Sequence, residues 1–452
     1  MSQIFNQMFR EHRVTLPCWL CLLYALSNPF DFRLLGPRMT GGEVVALFGL
    51  VLLLPQFAKV NFRPLVVPII MIILYALGAI VCDLYHDNDL ESFMRGFAKP
   101  LFIGLICLFF YVCFSLAPRS LLFYLYALPL AILVFVVRAP KDLLDESYTG
   151  EYKRFVSQYG PILILWARFG GSLGYAKSKL VPAAIFGVLF VVLASFSSRS
   201  DAMLAFVTGA IFLFLAFSKS RKRLRFKFSI RRGLLIAILM GIFVSIFYGA
   251  YIYGAPRGYF GDMQRQKFAT QSQTQFGTSP IGFIMSGRTK SVAALLAIAD
   301  HPMLGLGSRP SLMNYYYEAI SYSGDSKEIE SLLRKGNFSY SSGHSSVLGA
   351  WLAAGIFGAL FWLYLAYVVL RNFYKILQYE TLATPWFLPA FIFFYWHWAF
   401  SPIGTGARQS AGIYLALYAA FFSASSLAYI RGQFYQQCRL PGVRTIGRRV
   451  RR

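Results

Sequence analysis

Negative charge is scarce in this chain. Its 452 residues include 19 Asp and Glu against 44 Lys and Arg, for a formal net charge of +25. Charged residues of both signs make up 14% of the sequence, where a soluble protein carries about 25%. A soluble globular fold is excluded. Segments of about 10 residues alternating apolar and polar are also missing, which excludes a membrane β-barrel. No internal repeat is visible, and the largest hydrophilic stretch does not divide the chain into equal halves; both weigh against transporter folds built from related repeats. Cysteine is sparse as well, with six residues and none in the longest loop, so no disulfide framework holds that loop. Cys18, Cys21, Cys82, Cys107 and Cys113 sit in or at the end of apolar runs and read as small buried hydrophobes; Cys438 lies in a basic tail. Cys18 and Cys21 form a C-x-x-C with no second pair.

What is present is apolar sequence, 57% of the residues, gathered into runs long enough to cross a bilayer. The runs cover 14–30, 41–58, 64–82, 97–117, 120–137, 159–176, 180–196, 202–218, 233–253, 346–370, 384–400 and 410–430. This predicts an all-α polytopic membrane protein of about twelve spans, one integral-membrane domain over 1–452. The weakest span, 159–176, holds Arg168 and four glycines, which a broken or re-entrant helix shielded by protein or water tolerates. Arg10 and Arg13 precede the first run, which lacks a small-x-small cleavage pattern and reads as a retained helix.

The position of the positive charge assigns its partner. The stretch 219–232 carries eight Lys and Arg, the tail 431–452 carries seven, and neither has an acid. Both abut apolar runs, as cytoplasmic segments do under the positive-inside rule. Anionic membrane lipids are the partner implied; nucleic acid is not. With both termini cytoplasmic, the opposite side receives 83–93, 141–155 and a long loop, 254–345. The signs segregate well only if 159–176 crosses. The polar "DLYHDNDLE" (83–91) reads as a solvated connector.

The long loop has internal order. "SGRTKSVAALLAIADHPMLGLGS" (286–308) predicts a short amphipathic helix at the membrane interface. Ser286 is its N-cap candidate, Val292, Leu295, Leu296 and Ala299 recur at helical spacing, His301-Pro302 stops it, and Gly305 and Gly307 turn the chain. Arg288 in its first turn opposes the helix dipole unless an anion binds there, where backbone N–H groups and a guanidinium converge on phosphate. Arg199 in "SFSSRSDAML" and Arg408 in "SPIGTGARQS" are two further arginines at the same boundary. His344 stands among small polar residues at the mouth of span 346–370, with the proton affinity suited to take or orient a hydroxyl proton. Each residue also has a plain reading: Arg199 in an ion pair with Asp201, Arg288 solvated, His344 an interfacial histidine. No D-x-D or cluster of metal ligands in the external loops reads as a convincing metal site; the acids and histidine of 83–91 belong to the short polar connector.

Three stretches, "SSRSDAML" (197–204), "SGRTKSVAALLAIADHPMLGLGS" (286–308) and "GHSSVLGAWLAAGIFG" (343–358), occur in an order that resembles the O-antigen ligase and O-antigen polymerase superfamily of bacterial inner-membrane glycosyltransferases. The resemblance is strongest over about 180–370. It departs at "RFGGSLGYAKSK" (168–179), where relatives carry an Asn-Pro-Asn-like stretch, and at "TKS" after Arg288, where an aromatic is common. The resemblance implies a GT-C-like, metal-independent enzyme without cofactor, working at the periplasmic face. Its donor would be a glycan on undecaprenyl diphosphate, and its acceptor a hydroxyl of lipid A core or of another lipid-linked repeat unit. Arg199 and Arg288 would bind the diphosphate, with Arg408 as a third candidate. His344 would orient or deprotonate the acceptor, and attack would invert the anomeric carbon. The rival readings are a transporter or flippase of lipid-linked glycan, and a scaffold subunit of an envelope complex. A transporter places charge near the bilayer midplane, whereas these residues gather at the rim.

Overall fold

The protein, seen in a computed structural model, is described over residues 14–33, 38–138, 167–171, 180–195, 199–217, 248–259, 289–308, 312–323, 345–379, 384–401 and 403–423, with a few isolated positions between them. Among these residues the fold is helical apart from one small ribbon. Four helical stretches are long and apolar enough to cross a membrane: Gly41–Lys59, Arg63–Tyr85, Leu90–Leu116 and Ser346–Ile376.

Helix α1 (Leu16–Ser27) starts with Pro17 in its first turn, where the missing N–H is no loss. A two-stranded antiparallel ribbon follows, β1 (Asp31–Arg33) on β2 (Arg38–Thr40), with Asp31 opposite Thr40. The sequence reading had only a connector here. Thr40 then caps α2 (Gly41–Leu53) in a reciprocal capping box with Glu43, satisfying two backbone donors at once. Helices α3 (Val66–Tyr85) and α4 (Leu90–Leu116) follow.

The connector between α3 and α4 is shorter than expected, and the reading of 83–91 as a solvated loop is corrected. Asp89 caps α4 by accepting from Ser92 N at 3.2 Å, and Glu91 pairs with Arg95 one turn on. These two local interactions start the helix seven residues before the apolar run. Asp83 is buried, accepting from Asn88 Nδ2 at 2.7 Å and from Ser308 N at 2.6 Å.

Helix α5 (Ser120–Arg138) returns, and α6 (Leu180–Ser195) and α7 (Arg199–Phe217) form an antiparallel hairpin. Phe186 stacks on Phe212 and Phe190 meets Phe206. Two shorter helices, α8 (Thr289–Asp300) and α9 (Met313–Ser323), pack on each other. The chain ends its described part with α10 (Ser346–Tyr379), α11 (Thr384–Phe400) and α12 (Thr405–Leu417). One apolar core joins α1 to α5 with α10, α11 and α12; a second joins α6, α7 and the other face of α11.

Helix α10 departs from the continuous span expected over 346–370. It is broken at Ala354 (φ −139°, ψ 20°) and Gly355 (φ 59°, ψ −152°). The broken turn frees backbone groups, and a neighbouring segment satisfies them: Ile356 N donates to Met303 O at 3.0 Å, and Leu306 N donates to Leu352 O at 2.7 Å. Such a break persists in an apolar surround only where protein supplies the missing partners. Gly78 of α3 packs against the carbonyl of Ala354, where a Cβ would stand 2.5 Å from that oxygen.

Candidate functional site

The described connectors meet at one end of the bundle. Gln409 Nε2 donates to Asn28 Oδ1 at 2.9 Å and to Thr40 Oγ1 at 3.0 Å, which ties the α1–α2 connector to the start of α12. Asp83 holds Ser308, and His86 Nε2 lies 3.0 Å from Gly305 O, which ties the α3–α4 connector to the turn after α8. Trp351 Nε1 donates to Pro302 O at 2.7 Å. At the start of α10, Ser345 Oγ donates to Trp398 O at 3.0 Å, and Ser346 Oγ to Ser401 O at 2.9 Å. The N-terminus of α10 is thereby fixed to the C-terminus of α11.

The three sequence motifs run into this end. Arg199 opens α7; Arg288 and His344 lie outside the described residues, but α8 begins one position after the first and α10 two positions after the second. Helices α8 and α10 lie side by side and run the same way. Ala294, Ala297 and Ile298 pack with Leu348, Trp351 and Leu352, while Met303, beyond the end of α8, reaches Ile356 before 303–306 doubles back to Leu352. Their N-termini therefore face the same end. Helix α7 reaches that end too. A Cβ on Gly171 would lie 3.5 Å from Pro182, at the start of α6, and 3.6 Å from Pro385, at the start of α11. Antiparallel to α6, α7 begins where α11 finishes. The N-termini of α7, α8 and α10 thus point toward the end of the bundle where α11 finishes, each with the partial positive charge of a helix start; that of α10 is capped, Leu348 N donating to Ser345 Oγ at 3.4 Å.

The helix after Arg288 stops at His301 as expected, and Gly305 (φ 65°) and Gly307 (φ 83°) make the turn. Its buried face is different. Ala293, Ala294, Ala297 and Ile298 are buried, whereas Leu295 is 54% exposed. Small alanines let α8 approach α9 and α10 closely, and that contact outweighs burial of the larger leucine. Beside it Tyr315 of α9 has its phenol pushed above the usual range, by burial first and then by the hydrogen-bonded Asp300 carboxylate.

Arg408 has a different setting from the open loop expected. It sits in the first turn of α12, buried, with Nε donating to Glu43 Oε1 at 2.6 Å and Nη2 to Glu43 Oε2 at 2.8 Å. Its guanidinium also lies 4.8 Å from the Phe102 ring centroid. Glu43 is fully buried and was missed by the sequence reading. The signal available was Thr40-x-x-Glu43, a capping box before an apolar run. Asp83 was likewise missed as a buried anchor. Lys99, on α4, is within electrostatic reach of both Asp83 and Arg408.

No model of a known protein family matches the chain, and no curated protein matches it. Among the described residues no group of three or more His, Cys, Asp or Glu is placed to hold a metal ion.

Proposed function

We propose that the chain is a twelve-span, GT-C-like glycosyltransferase of the bacterial inner membrane, of the O-antigen ligase or polymerase type. It transfers a glycan from undecaprenyl diphosphate to a sugar hydroxyl of lipid A core or a lipid-linked repeat unit at the periplasmic face, and both its termini are cytoplasmic. The observation that carries this reading is the shared direction of three helix N-termini, toward the end of the bundle where α11 finishes. Each is immediately preceded or opened by a residue of the Ser198-Arg199, Gly287-Arg288 and Gly343-His344 motifs. Helix N-termini and arginines together favour a diphosphate.

In this reading Arg199 and Arg288 hold the donor diphosphate, and His344 takes the proton of the acceptor hydroxyl. The hydroxyl oxygen bonds to the anomeric carbon from the face opposite the phosphate. The carbon–oxygen bond to the diphosphate breaks as the new one forms, and the leaving group departs with its charge compensated by the arginines. Arg408 is held by Glu43, so its part is to fix the start of α12 at the rim.

The test is a gene deletion complemented with wild type or with His344→Ala, followed by gel analysis of surface glycans. The variant is expected to accumulate in the membrane and lower transfer by about 10²–10⁴-fold, the range for a general base. Normal glycan ladders from His344→Ala would end the catalytic reading. Loss of long chains with a single repeat retained identifies a polymerase; lipid-linked polymer over bare core identifies a ligase. The rival reading, a transporter or flippase of lipid-linked glycan, rests on one observation, an arginine inside the bundle.

A further inference from the structure

That arginine is Arg168, in the helical segment 167–171. An ionisable side chain within a membrane bundle is costly unless it has a partner or a ligand. Arg168 Nε is buried without an acceptor, and none of the described hydrogen bonds or ion pairs involves this residue. Its guanidinium lies 5.8 Å from the Phe393 ring centroid, and the groups within electrostatic reach are the phenols of Tyr124 and Tyr414. No carboxylate is among them.

The neighbouring wall adds a second orphan donor. Trp386 lies seven residues before Phe393 on α11, packed in the first core where Phe393 packs in the second, and its indole N–H is also buried without an acceptor. Tyr126 meets both Trp386 and Phe169, the residue after Arg168, edge to face. Guanidinium and indole nitrogens only donate. A donor-only set in an apolar interior is complementary to an anion with several acceptor oxygens. The site is distinct from the rim. Phe393 is seven residues before the end of α11, which puts it about 10 Å inside the bundle.

We propose that Arg168, with the Trp386 N–H, binds a phosphate or diphosphate group inside the helix bundle. The planar guanidinium fork supplies paired hydrogen bonds to the oxyanion, and the aromatic walls exclude water and strengthen them. The site does not depend on the transfer chemistry proposed for His344. It accepts phosphate chemistry from either of two sources, a lipid-borne diphosphate or the free anion.

The test uses the full-length protein in nanodiscs, with a polyprenyl diphosphate, inorganic pyrophosphate and the uncharged polyprenol as probes, read by ligand-induced thermal shift. Wild type is expected to respond to at least one of the two diphosphates and to bind it at least ten-fold more tightly than Arg168→Gln does. Arg168→Lys should retain part of the affinity, and Trp386→Phe, which keeps the ring and loses the N–H, should weaken binding less than Arg168→Gln. A response to the polyprenyl diphosphate alone identifies the lipid as source; an equal response to pyrophosphate identifies the free anion. Equal affinity in wild type and Arg168→Gln, or no response of wild type to either diphosphate, overturns the proposal. Should Arg168→Gln fail to fold, unchanged affinity in Trp386→Phe overturns it instead. His344→Ala is expected to leave these affinities unchanged, so failure of the transfer reading registers separately.

Discussion

Glu43 is buried at the start of an apolar helix, with both carboxylate oxygens occupied by Arg408 and one of them shared with Thr40 N. Removing either charge leaves the other uncompensated in the interior, which costs about 3–5 kcal/mol. Glu43→Ala is therefore expected to lower the thermal unfolding temperature in detergent sharply, and Glu43→Leu with Arg408→Met to recover most of the loss. A double variant as unstable as the worse single one would contradict a pair held mainly by mutual compensation. Arg288 makes a different prediction. If it grips a diphosphate with a planar fork, lysine supplies only a point charge, so Arg288→Lys should retain a fraction of transfer activity; full activity would count against diphosphate binding there. The capping half of the Glu43 arrangement was legible as Thr40-x-x-Glu43. The Arg408 half was not, because nothing local joins positions 365 residues apart.

At the scale of elements, the break in α10 decides how the long loop is seated. Gly355 occupies a backbone region essentially reserved for glycine, where other residues pay about 1–3 kcal/mol. A Cβ there would also stand 2.1 Å from Met303 O. Gly355→Ala is expected to unseat 303–306, lower the unfolding temperature and raise proteolysis of the loop. Gly187→Ala is the control: it lies inside α6 with nothing within 4 Å of a Cβ, and should leave stability unchanged or raise it slightly. Equal behaviour of the two variants would refute the seating. Helix existence was easy to read from the apolar runs, and Thr384–Phe400 agrees with its run end to end. The break was hidden because one glycine in "WLAAGIFGA" says nothing of whether a neighbour will supply acceptors and donors for an opened turn. The buried face of α8 was misread for a related reason: hydrophobic spacing weighs side-chain size, while close docking favours alanine.

For the whole molecule, the described connector residues 28–33, 38–40, 83–89, 301–308, 401 and 403–409 share one end. Under a twelve-span arrangement all of them belong to the periplasmic side. With Cys438 replaced by serine, a cysteine placed at Tyr259 should react with a membrane-impermeant maleimide in intact spheroplasts, and one at Phe228 only after lysis. The reverse pattern would overturn the topology. The sequence by itself determined that the chain is helical and built for a membrane, because length and composition of apolar runs answer to the bilayer and need no partner. It also placed Arg199, Arg288 and His344 beside helix starts, since turns and caps are local. Only the tertiary structure decided which connectors meet, that Arg408 faces Glu43, that 303–306 fills the gap in α10, and that Arg168 and Trp386 are left with donors and no acceptor. Each of these depends on groups distant along the chain, which meet or miss one another only once the helices have packed.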